Sequence, residues 1–398
     1  MRLLHVIPTY VPAWRHGGPV AAVHGLCKAL AARGHQVTVF TTDVHGAGTL
    51  DVPRAAPVTV DGVTVRYFPV AAPRRLYRSP AMAAALSPDG VAAFDLVHLH
   101  SVFLWPTAAA ARAAVRAGVP YLVAPRGMLV ADLLRRRGRL RKEIWIQLVE
   151  RRTLVRAAAI HATSELEAAE LSRLGLTLPP VHVVPNGVEA EPPRPGAALS
   201  PLVRAALARP GLVLFLGRVS WKKGLDRLIP ALAHAPDATL ALAGNDEEGY
   251  LATVDRLAAE AGVAARVLRL GPVDGADKAA LLHGAAALVL PSYSENFGNV
   301  VLEAMAAGCP AVVTPEVGLA ATVAEAGAGV VTSGEPRQLG AVLHRLLADP
   351  AGRAAMGRRG AEAAARLFSW QAIAGRMEQV YDAVLDTRGQ PTALPASS

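Results

Sequence analysis

The sequence predicts an α/β fold of two domains, and three observations carry the prediction. A chain of 398 residues, 52% hydrophobic and 18% charged, is long enough for two full cores and too apolar for a disordered chain. Short apolar runs alternate with helical stretches from Leu3 onward, the pattern of parallel strands joined by crossover helices. The alternation lapses after residue 190 in a stretch rich in Pro, Gly and Ala, and restarts at Gly211. The expected layout is a first domain over 1–190, a linker over 191–210, a second domain over 211–370, a last helix over 371–386 and a flexible tail over 387–398.

In the first domain, Leu3 to Ile7 reads as a strand that ends at Pro8. A loop containing His16-Gly17-Gly18-Pro19 follows, then a helix from about Val20 to Ala32 and a strand through Phe40. This is one βαβ unit, but without the Gly-x-Gly-x-x-Gly of a dinucleotide fold. Residues 44 to 80 are poorly periodic and read as loop apart from a strand at Val63 to Phe68. Asp95 to His100 is a clearer strand, with a helix through Arg116 and a strand at Tyr121 to Ala124 after it. His98 and His100 alternate, so both point to one face, and neither has a cysteine or carboxylate at metal-ligand spacing.

The strand at Tyr121 ends in Pro125-Arg126-Gly127-Met128, placing a cation where open α/β sheets make ligand contacts. Arginine stays protonated, so Arg126 is not a general base; it holds a phosphate, steadies a sugar oxygen or forms a salt bridge at the loop edge. Six basic residues occupy the eight positions 135–142, and a helix is expected from Glu143 to Ala159. Ile160 opens a short strand, Ser164 is placed to cap a helix from Glu165 to Leu174, and Val181 to Val184 is a strand leading to the Pro185-Asn186-Gly187 turn.

Charge is uneven. Residues 1–190 hold 22 Lys and Arg against 12 Asp and Glu, or +10, while the remainder holds 19 against 20, or −1. The basic excess biases the first half toward an acidic partner. The 135–142 cluster reads either as a solvated face or as a patch for an anionic membrane or a phosphorylated ligand. Nucleic acid is not expected: no zinc-finger, RNA-recognition or KH signature is present, and aromatic residues make up 5%. Cys27 and Cys309 sit in apolar contexts, one in each half, and read as unpaired core residues of a reducing compartment. Neither a secretory signal nor a membrane-spanning run is apparent, so the expected location is the cytoplasm, with at most surface association at the inner face of a membrane.

The second domain opens with a buried strand, Gly211 to Leu216, followed by Gly217-Arg218 and, four residues on, Lys223-Gly224, then a helix to about Ala233. Leu240 to Ala243 forms a strand closed by Gly244. A helix from Tyr250 to Gly262 and a strand from Val267 to Leu270 and Gly271 follow. The most informative stretch is the apolar run Ala285 to Leu290, the loop Pro291 to Gly298, a helix ending at Gly308, and a second apolar run through Val313. The backbone around Asn296, Phe297, Gly298, Asn299 and Val300 lies at a helix N-terminus, where unpaired N–H groups and the helix dipole favour a diphosphate. Glu295 and Glu303 are eight apart, not a same-face pair, so they touch different groups. Glu303 is placed to accept from a ribose diol, Glu295 from whatever the phosphate carries. On composition alone they also read as a solvated loop residue and a helix-surface charge. Arg218 and Lys223 are spaced to converge on a diphosphate. Gly329 to Val331, a helix through Leu347 and a final helix from Phe368-Ser369-Trp370 to about Leu385 complete the chain.

Glu295, seven residues, Glu303, ahead of Ala304-Met305-Ala306-Ala307-Gly308, together with Gly217-Arg218-x-x-x-x-Lys223-Gly224, His16-Gly17-Gly18-Pro19 and Pro185-Asn186-Gly187-Val188, resembles the retaining group 1 glycosyltransferases (family 4) over nearly the whole chain. The Pro-Arg-Gly-Met form is similar to polysaccharide-assembly members, in a position where many relatives carry histidine. The resemblance implies the GT-B arrangement, two facing Rossmann-like domains with the active cleft between them and the last helix crossing back to the first. It implies a hexosyltransferase that takes a UDP- or GDP-sugar without a metal or other cofactor, and a sugar or lipid-linked saccharide acceptor. It assigns the donor to Gly17, Gly18, Arg218, Lys223, Gly244, Leu270, Glu295 to Val300 and Glu303, the catalytic groups to Glu295, Arg218, Lys223 and Arg126, and the acceptor side to His16, His100, Arg126 and Asn186. Two other readings use parts of the same pattern: a sugar-nucleotide epimerase or hydrolase with His100 as an acid or base, and a non-catalytic membrane-surface scaffold.

Overall fold

In the computed structural model the described residues are 1–14, 17–129, 149–190, 192, 196–246 and 248–386. They divide into two units, one of 1–187 with the segment from 370 onward, the other of 188–369. The apolar runs become strands because β-branched and leucine-rich stretches of three to seven residues bury both faces of a parallel sheet.

The first unit holds β1 (Arg2–Val6), β2 (Gln36–Thr42), the two-residue pair β3 (Val44–His45) and β4 (Gly48–Thr49), β5 (Val58–Val60), β6 (Val63–Phe68), β7 (Leu96–His100), β8 (Tyr121–Ala124), β9 (Ala159–Ala162) and β10 (Val181–Val183). Eight of these form one sheet in the order β10-β9-β8-β7-β1-β2-β6-β5, parallel except for β5. Alternate residues serve opposite faces. Leu3, Val37, Val39 and Leu96 pack toward the helices Gly18–Ala32 and Trp370–Asp386, while Leu4, Phe40, Val97 and Leu99 pack on the other side.

The stretch read as loop over 44–80 is more structured than expected. Val58-Thr59-Val60 and Val63-Thr64-Val65 form a hairpin through Asp61-Gly62, both at positive φ (49° and 79°). Asp-Gly between alternating β-branched residues is the sequence signal for such a turn. A 3-10 turn at Arg74–Leu76 and a helix at Pro80–Ala85 follow. The helix expected from Glu143 to Ala159 is described only from residue 149. It is helical over Arg151–Val155, and Ala159 begins β9 instead. The 135–142 cluster, His16 and the 387–398 tail lie outside the described residues.

The second unit holds β11 (Leu212–Leu216), β12 (Thr239–Ala243), β13 (Val267–Gly271), β14 (Ala287–Leu290), β15 (Ala311–Val313) and β16 (Gly329–Val331), all parallel in the order β13-β12-β11-β14-β15-β16. The segment read as a linker is not wholly irregular. Ser200 caps a helix at Pro201–Leu207, and Val203 and Ala206 of that helix enter the second core. A 19-residue helix, Pro350–Phe368, had no counterpart in the sequence reading. Its mixed Ala, Arg and Gly content hides the apolar stripe, and apart from Phe368 at its end the buried residues are small, such as Gly357 and Ala364.

The final helix, Trp370–Asp386, belongs to the first unit. It buries Ile373, Met377, Val380, Tyr381 and Val384. The Trp370 indole lies so close to Gly25 and Gly187 that a Cβ on either would sit 2.2 Å and 2.5 Å from it. In both sheets the strand order reverses once, between β1 and β7 and between β11 and β14. The carboxyl ends of strands at such a reversal open onto a crevice where α/β sheets hold ligands.

Candidate active site

In the second unit the reversal brings together the loops after β11 and β14. The first carries Gly217, Arg218, Lys222 and Lys223, the second Pro291 to Gly298. Two backbone contacts fasten them. Tyr293 N donates to Lys222 O at 2.9 Å, and Gly224, at φ 69°, lies so close to Pro291 that a Cβ would sit 2.0 Å from its carbonyl oxygen. Any side chain there would push the two loops apart.

Lys223 reaches across and pairs with Glu295, both side chains largely buried. Exposed Arg218 and partly buried Lys222 stand near enough to act electrostatically on each other. Lys222 is held below the usual lysine value, first by burial and then by Lys223 and Arg218, against the opposing pull of Glu295. Lys222 thus stands within electrostatic reach of one carboxylate and two further cations. Lys222 is a member that the spacing of Arg218 and Lys223 did not single out.

The Glu295 loop is itself clamped. Glu295 N donates to Glu316 O at 3.0 Å, Gly318 N donates to Glu295 O at 2.9 Å, and Thr314 Oγ1 donates to Ser292 O at 2.8 Å. Phe297 is buried in the core, so its ring anchors the loop and only its backbone is left for a ligand. Gly298 precedes the helix Asn299–Ala306, and its carbonyl oxygen accepts from Val301 N at 2.8 Å and Leu302 N at 3.4 Å. The helix ends in a Schellman cap, with Gly308 at φ 72° donating to Met305 O at 3.0 Å and Cys309 N to Ala304 O at 2.8 Å.

Glu303 and Glu295 serve different partners. Glu303 pairs with Lys278 at 2.7 Å, both about two-thirds buried, and Lys278 had not been read from the sequence. Gly244 fits a tight place, since a Cβ would lie 1.8 Å from Gly217 O, and its N–H donates to Gly271 O at 2.8 Å. Those bonds set Leu270-Gly271 and Gly217-Arg218 at the ends of neighbouring strands. In the first unit, Gly17 stands at φ 75° ahead of the helix Gly18–Ala32.

The other reversal holds a second polar group, in the first unit. Arg126 has φ 57° and Gly127 φ 74°, two successive left-handed residues. The Arg126 guanidinium donates to Asn186 Oδ1 at 2.6 Å and to His100 Nδ1 at 3.3 Å. His100 is not presented at the strand end as its sequence position suggested; it is fully buried. Behind it lie His5, His98 and His161 from β1, β7 and β9, also buried, and Tyr381 from the last helix. Strand pairing, not spacing, assembles these groups.

Burial drives all four histidines below the usual imidazole value, to about 3 for His5 and His161, with Arg126 adding repulsion. Neutral rings fix the tautomers. Val184 O accepts from His161 Nε2 (2.7 Å), so His161 Nδ1 accepts from His98 Nε2 (3.2 Å) and His98 Nδ1 from the Tyr381 hydroxyl (2.8 Å). Arg126 only donates, so His100 Nδ1 accepts and His100 Nε2 donates to His5 Nδ1 (3.0 Å), leaving His5 Nε2 buried without a partner.

His5, His98 and His100 each bring a ring nitrogen within 4.8 Å of the others, a spacing that a metal ion could bridge. The hydrogen bonds already engage five of those six nitrogens. Beneath the Arg126 loop, buried Glu167 accepts from Gly127 N (2.6 Å), Thr163 N (2.7 Å) and Thr163 Oγ1 (2.8 Å). Its trace in the sequence is the Ser164-x-x-Glu167 capping pattern, and Ser164 does cap Glu167 N at 3.1 Å.

Comparison with known proteins agrees with this layout. Residues 204–363 match the family described as Glycosyl transferases group 1, and residues 17–187 the Glycosyl transferase 4-like domain. The chain is 32% identical over 399 residues to a D-inositol 3-phosphate glycosyltransferase of Xylanimonas cellulosilytica, with 92% of this chain and 91% of that one covered. A protein of the same name from Frankia alni is 31% identical over 391 residues, with 90% and 92% covered. Among solved structures, sucrose-phosphate synthase from Thermosynechococcus elongatus superposes with a TM-score of 0.74 at 23% identity, covering 97% of this chain and all of that one (100%). Anabaena HepE in complex with UDP and glucose gives 0.73 at 20% identity, covering 96% and 100%. With both domains matched and two relatives similar over nine-tenths of their length, the chain belongs to the group 1 glycosyltransferases, and is an enzyme of GT-B fold that transfers a sugar to an acceptor.

Proposed function

We propose that the chain is a retaining, metal-independent glycosyltransferase. It takes a nucleoside-diphosphate sugar and glycosylates a sugar or lipid-linked saccharide in cell-surface polysaccharide or glycolipid biosynthesis. The observation that carries this reading is the Lys223–Glu295 pair at the reversal of the second sheet, with Lys222 under the influence of that pair and of Arg218, in the loops that lead to the Asn299–Ala306 helix. UDP is the first carrier to test, because HepE resembles this chain and is seen with UDP-glucose; GDP is the second.

Arg218 and Lys223 bind the diphosphate and offset the charge that grows on it as the glycosidic bond to phosphate breaks. The amides around Asn296 to Val300 take the same charge, so cations and helix amides do the work a divalent ion does elsewhere. As Lys223 turns to the diphosphate, Glu295 is released to orient the sugar hydroxyls. Glu303, steadied by Lys278, accepts from the ribose, while Leu270 and Gly244 shape the nucleobase end. The acceptor is assigned to the first unit, on the side of His16, Arg126 and Asn186. Its hydroxyl proton passes to the leaving phosphate oxygen on the front face, so no protein base is required and arginine at position 126 is compatible with the chemistry. The 135–142 cluster is assigned to an anionic membrane surface at the inner face.

A thermal-shift panel of UDP, GDP, ADP and TDP sugars with EDTA present tests the donor assignment. One carrier raises the midpoint, and Arg218→Ala/Lys223→Ala abolishes the rise. No shift with any carrier, together with no direct binding at high concentration, would sink it. Retention is read from the anomeric configuration of the product, and metal independence from turnover that EDTA leaves intact.

A further inference from the structure

Arg126 is a cation in unusual company. Its two acceptors among the described residues, Asn186 Oδ1 and His100 Nδ1, are both neutral. A guanidinium carries five N–H donors, and its Nε is buried without a partner. Behind it the histidines are uncharged, so nothing in that layer offsets the positive charge. The carboxylate that acts on Arg126 electrostatically is Glu167, and its two oxygens are spent on Gly127 N, Thr163 N and Thr163 Oγ1. Burial accordingly lowers Arg126 itself, to about 10. A partly buried charge left without an ion pair is costly, and its unmet donors mark a place for a ligand. Planar, forked donors suit one ligand chemistry best, an oxyanion bound by two parallel hydrogen bonds.

We propose that Arg126 is the anchor of an oxyanion subsite in the first unit, and that the acceptor is an anionic saccharide bearing a phosphate or a carboxylate that Arg126 holds. The second half rests on the glycosyltransferase reading above; the first does not. In this arrangement His100 and Asn186 are positioning residues that aim the guanidinium without touching the substrate.

The test uses the full chain carrying Arg218→Ala/Lys223→Ala, which removes the donor grip as a competing anion site, with inorganic phosphate and acetate as probes and chloride at matched ionic strength as reference. The expected result is a saturable rise in the unfolding midpoint with phosphate or with acetate, identifying the anion class. Adding Arg126→Gln abolishes the rise and Arg126→Lys weakens it several-fold. Without anion, Arg126→Met unfolds at the same or a higher temperature than its parent, because it removes an unpaired charge. Saturation that persists in Arg126→Gln, or no saturable response to either anion, overturns the subsite. A lower midpoint for Arg126→Met in chloride also overturns it, marking Arg126 as a structural pin. Failure of nucleotide sugars to bind the unmodified protein would count against the donor assignment alone, since these measurements do not involve it.

Discussion

Lys278 and Glu167 show how single residues set the reach of others. Lys278 holds the Glu303 carboxylate at 2.7 Å in a pair about one-third exposed, so its worth to stability is small, about 0.5 kcal/mol. Its effect lies in keeping Glu303 in one orientation. Lys278→Ala is expected to leave the unfolding midpoint unchanged, raise KM for the nucleotide sugar roughly five-fold, equivalent to about 1 kcal/mol, and leave kcat alone. A fall in kcat at constant KM would contradict that role. Glu167 is more deeply committed, with three hydrogen bonds that only a carboxylate can accept together. In Glu167→Gln the amide turns an N–H toward a backbone N–H, at a cost of about 1–3 kcal/mol. The Arg126-Gly127 turn then loosens. The expected kinetic signature is a lower kcat with the donor KM preserved, and equal losses in both would point to a general folding defect. Both residues stand outside the motifs that name the site, and for a plain reason: Lys278 is 25 positions from its partner and Glu167 is 40 from Gly127, so only folding introduces them.

At the level of elements, the loops after β11 and β14 work as one because backbone locks to backbone. Gly224 is the joint. Gly224→Ala adds a Cβ 2.0 Å from Pro291 O and asks alanine to hold φ 69°. The expected loss is about 2–4 kcal/mol, seen as a lower denaturation midpoint accompanied by weaker donor binding. Unchanged stability would mean that the loops can separate without consequence. The Lys-Gly of the motif therefore carries a steric requirement at its glycine beside the ligand contact proposed for Lys223. The Asn299–Ala306 helix was legible in the sequence, from its apolar spacing and its terminal glycine. The Asp61-Gly62 hairpin was equally available and passed over, because Pro, Gly and Arg in the surrounding stretch drown a signal only two residues long. The Pro350–Phe368 helix left little signal at all, since it buries glycines and alanines that carry almost no hydrophobic contrast.

For the molecule as a whole, the final helix and the histidine layer decide how the first unit stands. Five large side chains of Trp370–Asp386 are buried, and at about 1.5–3 kcal/mol each they amount to roughly the stability of an entire domain. A chain ending at Ser369 is expected to lose the first unit, leaving a protease-resistant fragment close to 188–369; survival of both units would show the helix to be dispensable. The histidines make the first unit acid-sensitive. Their native values lie below the unfolded 6.5, so the unfolded chain takes up protons that the native state refuses. Stability is complete above pH 6.5 and falls as pH drops below it, by up to about 1.4 kcal/mol per pH unit for each histidine, the fall from His5 and His161 continuing toward about 3. Urea midpoints between pH 7 and 5 should show this slope, and His161→Asn should flatten it; a flat profile in the unmodified protein would refute the neutral-ring network. By itself the sequence determined the two α/β halves, most of the strands that build them and the motifs that name the family, because those depend on local periodicity and on short spacings that survive without coordinates. The tertiary structure alone decided that four histidines gather into a neutral layer and that Arg126 rests on it with donors to spare. Those facts arise from strands paired across tens of residues, and hydrogen bonds across such separations leave no periodic mark in the chain.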